Sequence, residues 1–273
     1  MKKLIMLLGL VMAFFIGTFA VSAEEKGEKG EKVSEEKIDK FLKKAGAPDD
    51  LLERWEYDQK LDLFNKGKES TIEFDTTETS HFVRDEETGE LIESSEEQQP
   101  SGDFSTMATI TSDKLRVSHD IWSMYSNGVK YKSVYANYEW VNTKYGGTKG
   151  DKLAIAVPSG WAIQAGSYEC QEFQSSWPAN GYTYKANCGG ATYDLDFYGA
   201  VWSLTRTDYV WHKGWASLDM RRTSSSAQLR VLSKYVEDTG GSTSWSIGWG
   251  PMSVSISGNK SNNQVAWDTG FTY

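Results

Sequence analysis

The sequence predicts a mainly β fold: an antiparallel β-sandwich or jelly-roll-like C-terminal domain, preceded by a small helical, acidic N-terminal segment. Three observations carry that reading. From Thr106 onward apolar and polar residues alternate with a period of two; Gly- and Asn-rich turn signals separate the alternating runs; and aromatic residues concentrate in that part of the chain. Ten of the eleven Trp and thirteen of the fourteen Tyr lie there.

At the start, Lys2 and Lys3 precede a predominantly apolar run from Leu4 to Phe19, and Val21-Ser22-Ala23 supplies small residues at a cleavage position. Residues 1–23 therefore read as a secretory signal peptide, with a mature chain beginning near Glu24. The apolar run is shorter than the roughly twenty residues a spanning helix needs. The expected localisation is secreted and extracellular, in a Gram-positive-like setting.

Residues 24–84 form an acidic, partly helical segment, and residues 85–105 read as a flexible linker with Pro100, Gly102 and several Ser and Gln. The stretch 24–105 carries 25 acidic and 12 basic residues, whereas 106–273 is close to neutral. Ser34 can cap a first helix carrying Ile38, Phe41, Leu42 and Ala45, which Gly46 ends. Pro48 and Asp49 or Asp50 start a second, with Leu51, Leu52, Trp55, Leu61 and Phe64 before Gly67. Weak strand signals follow at Thr71 to Phe74 and around Phe82. This half is read as a spacer, a removable propeptide, or a lid over the second half.

In the β domain (106–273), Val129, Tyr131, Ser133, Tyr135 and Asn137 alternate against Lys130, Lys132, Val134, Ala136, Tyr138 and Trp140. Trp215, Ser217, Asp219 and Arg221 alternate against Ala216, Leu218 and Met220. Asn127-Gly128 is the clearest hairpin turn. Cys170 and Cys188 are the two cysteines, and in an exported chain they are expected to pair as a disulfide.

No GxSxG, HExxH, P-loop or dinucleotide fingerprint occurs in the sequence. The near-neutral β domain and acidic N-terminal half also argue against nucleic-acid binding. Catalysis by paired carboxylates would fall to Glu139, Asp194 and Asp196, whose ordinary role is that of solvent-facing strand positions. No cofactor is implied; Asp194 and Asp196, with carbonyls near Gly189-Gly190, are the one calcium candidate.

Most of the tryptophans, among them Trp122, Trp140, Trp161, Trp202 and Trp211, are expected in the core, with a surplus exposed. Exposed rings beside amides and carboxylates suit sugars, since CH faces stack on the ring while polar groups take the hydroxyls. Trp177, Tyr182 and Tyr184 are the ligand-binding candidates. One segment points elsewhere: Trp245, Ile247 and Trp249 alternate with Ser and Gly, and beyond Gly250-Pro251 so do Val254 and Ile256. Such a hairpin has the pattern of a membrane-inserting pair of strands.

The preferred reading is a secreted, non-catalytic protein whose β domain binds cell-wall or other polysaccharide. The alternatives are a membrane-active, toxin- or bacteriocin-like β protein and a polysaccharide hydrolase.

Overall fold

The computed structural model describes residues 32–85, 87–94, 114–141, 150–175, 184–193, 199–205, 209, 211–237, 243–248, 253–258 and 264–273. Glu35–Tyr273 forms one compact unit. Helices α1 (Glu35–Lys44), α2 (Asp49–Arg54) and α3 (Tyr57–Glu69) come first. Acidic Glu35 and Glu36 open α1 and Lys43 and Lys44 close it, matching the helix dipole. Its end is a Schellman motif: Ala47 N–H bonds Leu42 O and Gly46 N–H bonds Lys43 O, both at 3.0 Å. Gly46 adopts a φ of +98° there, a conformation that favours glycine.

The second helix expected from the sequence is two. Trp55 adopts an extended conformation between α2 and α3, because its indole turns down to bond Asp120. Nor does Gly67 end α3; a Cβ at that position would lie 2.5 Å from the Phe41 ring, so the glycine makes room for packing inside the helical layer. That layer has a small apolar core of Ile38, Leu42, Leu51, Leu52, Leu63 and Phe64, with Phe41 edge-on to Phe64 at 5.1 Å.

The weak strand signals after α3 are one long strand, β1 (Thr71–Arg84). A bulge between Phe74 and Thr76 interrupts its register with β3 (Lys114–Ser126). Strand β2 (Leu91–Glu93), within the stretch read as linker, pairs with β1. Next come β4 (Val129–Val141), β5 (Asp151–Ala156), β6 (Trp161–Ile163), β7 (Glu169–Ser175), β8 (Tyr184–Asn187), β9 (Gly189–Tyr193) and β10 (Gly199–Leu204). The chain continues through β11 (Trp211–Arg222), β12 (Arg230–Val236), β13 (Thr243–Gly248), β14 (Ser253–Gly258) and β15 (Gln264–Gly270).

Among the described residues the larger sheet has the order β2-β1-β3-β4-β11-β7-β8, with β6 also on β11, and the smaller β15-β12-β5-β10-β9. Every pairing is antiparallel, as the period-two pattern implies. Asn127 and Gly128, both at positive φ, turn β3 into β4 as expected.

The two sheets face each other across one core. Leu115, Val117, Ile121, Val134, Ala136 and Trp140 come from the larger sheet and Leu153, Ile155, Trp202, Val231 and Val265 from the smaller. Three polar links cross it. His119 contacts Thr269 Oγ1 at 3.0 Å and Ser233 Oγ at 2.6 Å; Trp140 donates to Tyr235 Oη at 2.9 Å, whose hydroxyl donates to Asp151; and Arg84 meets Glu237 at 2.9 Å. Cys170 and Cys188 are joined, with Cα atoms 5.4 Å apart, tying β7 to the segment after β8. The result is an antiparallel β-sandwich whose larger sheet carries the helices on its outer face.

A cleft between the helical layer and the larger sheet

Alternation along β4 sends Val134, Ala136 and Trp140 into the sandwich and Ser133, Tyr135, Asn137 and Glu139 to the other face. On neighbouring β11 the outer positions are Trp215, Ser217 and Asp219, and on β3 Arg116, Ser118, Asp120 and Trp122. That outer face is aromatic, hydroxylated and charged, and α2 and α3 lie on it.

All eight tryptophans whose side chains are described are buried, none more than 7 % exposed. Trp177, Trp245 and Trp249, where a surplus exposed ring would have to be sought, have no described side chain. Trp122, expected in the core, and Trp215 lie beneath the helices, and Trp55 reaches down from them. Trp55 packs on Tyr135 at 4.8 Å and on Trp122 at 5.9 Å.

At one end of this contact the layers part, leaving a small, open cleft. Trp55, Tyr138, Phe173 and Trp215 give it four rings; Arg54, Arg116 and Lys213 give it cations; Glu56 and Glu139 give it carboxylates. The charges are arranged in pairs, Arg116 with Glu139 and Lys213 with Glu56, all half-buried. Gln59 donates to Asn137 Oδ1 at 2.7 Å, and Asn137 donates to Asp120 Oδ2 at 2.7 Å. Gly214 is required at the edge: a Cβ there would lie 2.6 Å from Gln171 O and 2.7 Å from the Tyr138 ring. One donor is left over. The Trp215 indole nitrogen is buried and has no hydrogen-bond partner among the described residues.

Burial dominates the electrostatics around this face. Asp120, fully buried, has its pKa pushed up by desolvation; Arg54 and the bonds from Thr77, Trp55 and Asn137 pull the other way. Lys66 is held above its ordinary value: burial lowers it most, but Asp219 and Asp62 together outweigh that. Between the sheets, burial raises Glu172 to about 7 against the Thr205 hydrogen bonds, and lowers His119 to about 3. Neither of these last two lines the cleft.

Of the carboxylates proposed from the sequence, Glu139 lies on the cleft wall, engaged by Arg116. Asp194 and Asp196 fall outside the described residues, as do Trp177, Tyr182 and Trp249. Tyr184 opens β8 opposite Gln174 and does not line the cleft. Trp245 and Ile247 lie on β13 opposite Ile256 and Val254 on β14, the register the alternation implied, and β14 runs beside β5 and β12. The paired register covers six residues of each strand. Among the described residues no group of three or more His, Cys, Asp or Glu is placed to hold a metal, and no helix is long and apolar enough to cross a membrane.

Sequence inspection missed Arg54, Trp55, Gln59, Arg116, Asn137, Lys213 and Trp215 as cleft residues. The available signal was the polar parity of β4 and β11: amide, hydroxyl and carboxylate side chains share one face with Tyr135 and Trp215, an unusual composition for a plain solvent face.

No protein-family model matches the chain, and no curated protein matches it. Solved structures similar to it include the collagen-binding domain of a Staphylococcus aureus adhesin, at TM-score 0.30 and 7 % identity over 51 % of this chain and 87 % of that one. The collagen-binding domain of Erysipelothrix rhusiopathiae surface protein RspB gives TM-score 0.28 and 7 % identity over 57 % and 64 %. The KRT10-binding region domain of the pneumococcal serine rich repeat protein PsrP gives TM-score 0.28 and 7 % identity over 61 % and 87 %. Likenesses this distant carry no assignment of ligand or activity.

Proposed function

We propose that the protein is a secreted, non-catalytic binding protein whose β domain holds a hydroxyl-rich chain of the cell-wall polysaccharide kind in the cleft beside Trp215. The observation that carries this reading is the buried, unpartnered N–H of Trp215, a residue that lines a cleft also offering the Trp55 and Phe173 rings and two ion pairs. Flat rings stack against the CH faces of a sugar, and an orphaned buried donor gains the most from a ligand acceptor. The signal-like residues 1–23 and the Cys170–Cys188 bond support an extracellular setting.

The test is a titration of soluble cell-wall glycan fragments into the wild-type protein and the Trp215→Phe variant, which keeps an aromatic ring and deletes the N–H. Loss of one buried hydrogen bond corresponds to an affinity drop of roughly five- to tenfold. Equal affinities would remove the cleft from the reading. New reducing ends, abolished in Glu139→Gln, would replace binding by hydrolysis.

A further inference from the structure

The contact between α3 and the larger sheet is a ladder of polar side chains. Gln59 donates to Asn137 at 2.7 Å, Asp62 accepts from the Tyr135 hydroxyl at 2.6 Å, and Lys66 reaches Asp219 at 3.2 Å and Ser133 at 3.4 Å. Ascending α3 by three or four residues descends β4 by two, so successive helix turns meet successive outward side chains of the strand. The apolar residues of α3, Leu63 and Phe64, are buried with those of α1 and α2. The helical layer therefore keeps its own core and meets the sheet through this polar ladder and through Trp55, which packs on Trp122 and Tyr135 and donates to Asp120.

The helices do not satisfy the face they cover. Trp122 Nε1, Trp215 Nε1 and Ser217 Oγ, all on the outer face, are buried without a partner among the described residues. Buried groups between packed layers are ordinarily paired, although Trp267 Nε1 and Glu172 Oε1 between the two sheets are also without a partner among the described residues; what distinguishes the outer face is that its three orphans lie together on β3 and β11. Trp215 lines the open cleft and packs on Tyr135, which α3 covers, so the cleft borders the surface under α3.

From this we infer that the outer face of the larger sheet beneath α2 and α3, marked by Trp122, Tyr135, Trp215 and Ser217, is an extended binding face for a hydroxyl-bearing polymer chain, with the helical layer a displaceable lid occupying it in the ligand's place. The inference rests on the binding reading above. It adds that the site is longer than the cleft and that the lid opposes the ligand. Ser70, between α3 and β1, is the natural pivot, with the Phe74 N–H to Ala45 O bond at 2.7 Å as the second tether.

The experiment uses the full secreted chain and the double variant Asp62→Ala/Lys66→Ala, which breaks two rungs, preserves net charge and alters neither the sheet nor the cleft. Amide hydrogen exchange reports lid opening, and titration with soluble cell-wall glycan chains reports binding. The expected result is α3 amides exchanging at least tenfold faster while β5 and β12 are unchanged, with affinity for long chains rising about tenfold. Faster α3 exchange with unchanged or weaker binding overturns the lid, as does α3 exchange that stays at the wild-type rate. If neither protein binds the chains, the parent reading fails first and takes this one with it. A second variant, Trp122→Phe, removes an orphan donor away from the cleft and is expected to weaken binding in the double-variant background by about fivefold; equal affinity there also overturns the covered face as a site.

Discussion

The Trp55 indole N–H donates to Asp120 Oδ2 at 2.7 Å, joining the break between α2 and α3 to a carboxylate buried on the outer face of the larger sheet. Asp120 takes further bonds from Thr77 at 2.6 Å and Asn137 at 2.7 Å. Three elements thus share one buried acceptor, and removing one donor leaves a charge under-satisfied. Trp55→Phe keeps most of the packing on Trp122 and Tyr135 and is expected to lower unfolding free energy by about 1–3 kcal/mol. Urea denaturation checks it; an unchanged midpoint would mean the bond contributes nothing net.

Arg84 and Glu237 form an ion pair in the sandwich interior, 8 % and 1 % exposed. Removing one partner of such a pair leaves a buried charge, at a cost of about 3–5 kcal/mol. Arg84→Met is expected to destabilise by that order, and Arg84→Met/Glu237→Leu to recover much of the loss. Melting curves of the three proteins decide it, and a double variant no more stable than the single one would contradict the account.

The pH dependence has two opposing limbs. His119 is lowered to about 3 by burial, so the unfolded chain binds its proton more tightly, and stability falls as pH drops below 6.5. Glu172 is raised to about 7 by burial, so the folded chain binds its proton more tightly, and stability falls as pH rises from 4.5 through 7. Asp120, also raised by burial, acts in the same sense as Glu172. The two limbs oppose each other between about pH 4.5 and 6.5, where maximum stability is expected; Glu172→Gln removes the falling Glu172 limb, so stability should then rise with pH toward 6.5 and fall less above it. Denaturation at pH 4, 5.5 and 8 measures both limbs; a wild-type maximum above pH 7.5 would be the contrary result.

Reduction of the Cys170–Cys188 bond releases a short loop containing β8. The Cys170→Ser/Cys188→Ser variant is expected to be less stable by about 3 kcal/mol. Comparing thermal unfolding of the variant with that of the oxidised and reduced wild type separates loss of the bond from loss of the sulfur atoms.

The β architecture was legible because β4 and β11 carry clean alternation and Asn127-Gly128 a turn with one dominant geometry. Trp55 shows where local pattern stops: nothing in residues 49–67 reveals that one ring must leave the helix to reach Asp120, 65 residues away. Gly67 was misread as a stop because a glycine that ends a helix and one that admits a neighbouring ring look alike in sequence. The long strand β1 gave weak signals because its middle, Asp75 to His81, is exposed or only half-buried and the bulge at Phe74/Thr76 breaks its register. The cleft escaped for a similar reason. Arg54, Arg116, Asn137, Lys213 and Trp215 come from four distant segments, and only the pairing of β3, β4 and β11 beneath the helices brings them together.

Binding to the cell wall is the central claim, and co-sedimentation tests it most directly. The purified chain from Glu24 onward would be mixed with insoluble cell walls and, in parallel tubes, with liposomes. Saturable pelleting with walls, weakened in Trp215→Phe, and a clear supernatant with liposomes is the expected result. Pelleting with liposomes alone would contradict the account and transfer interest to the β13–β14 hairpin.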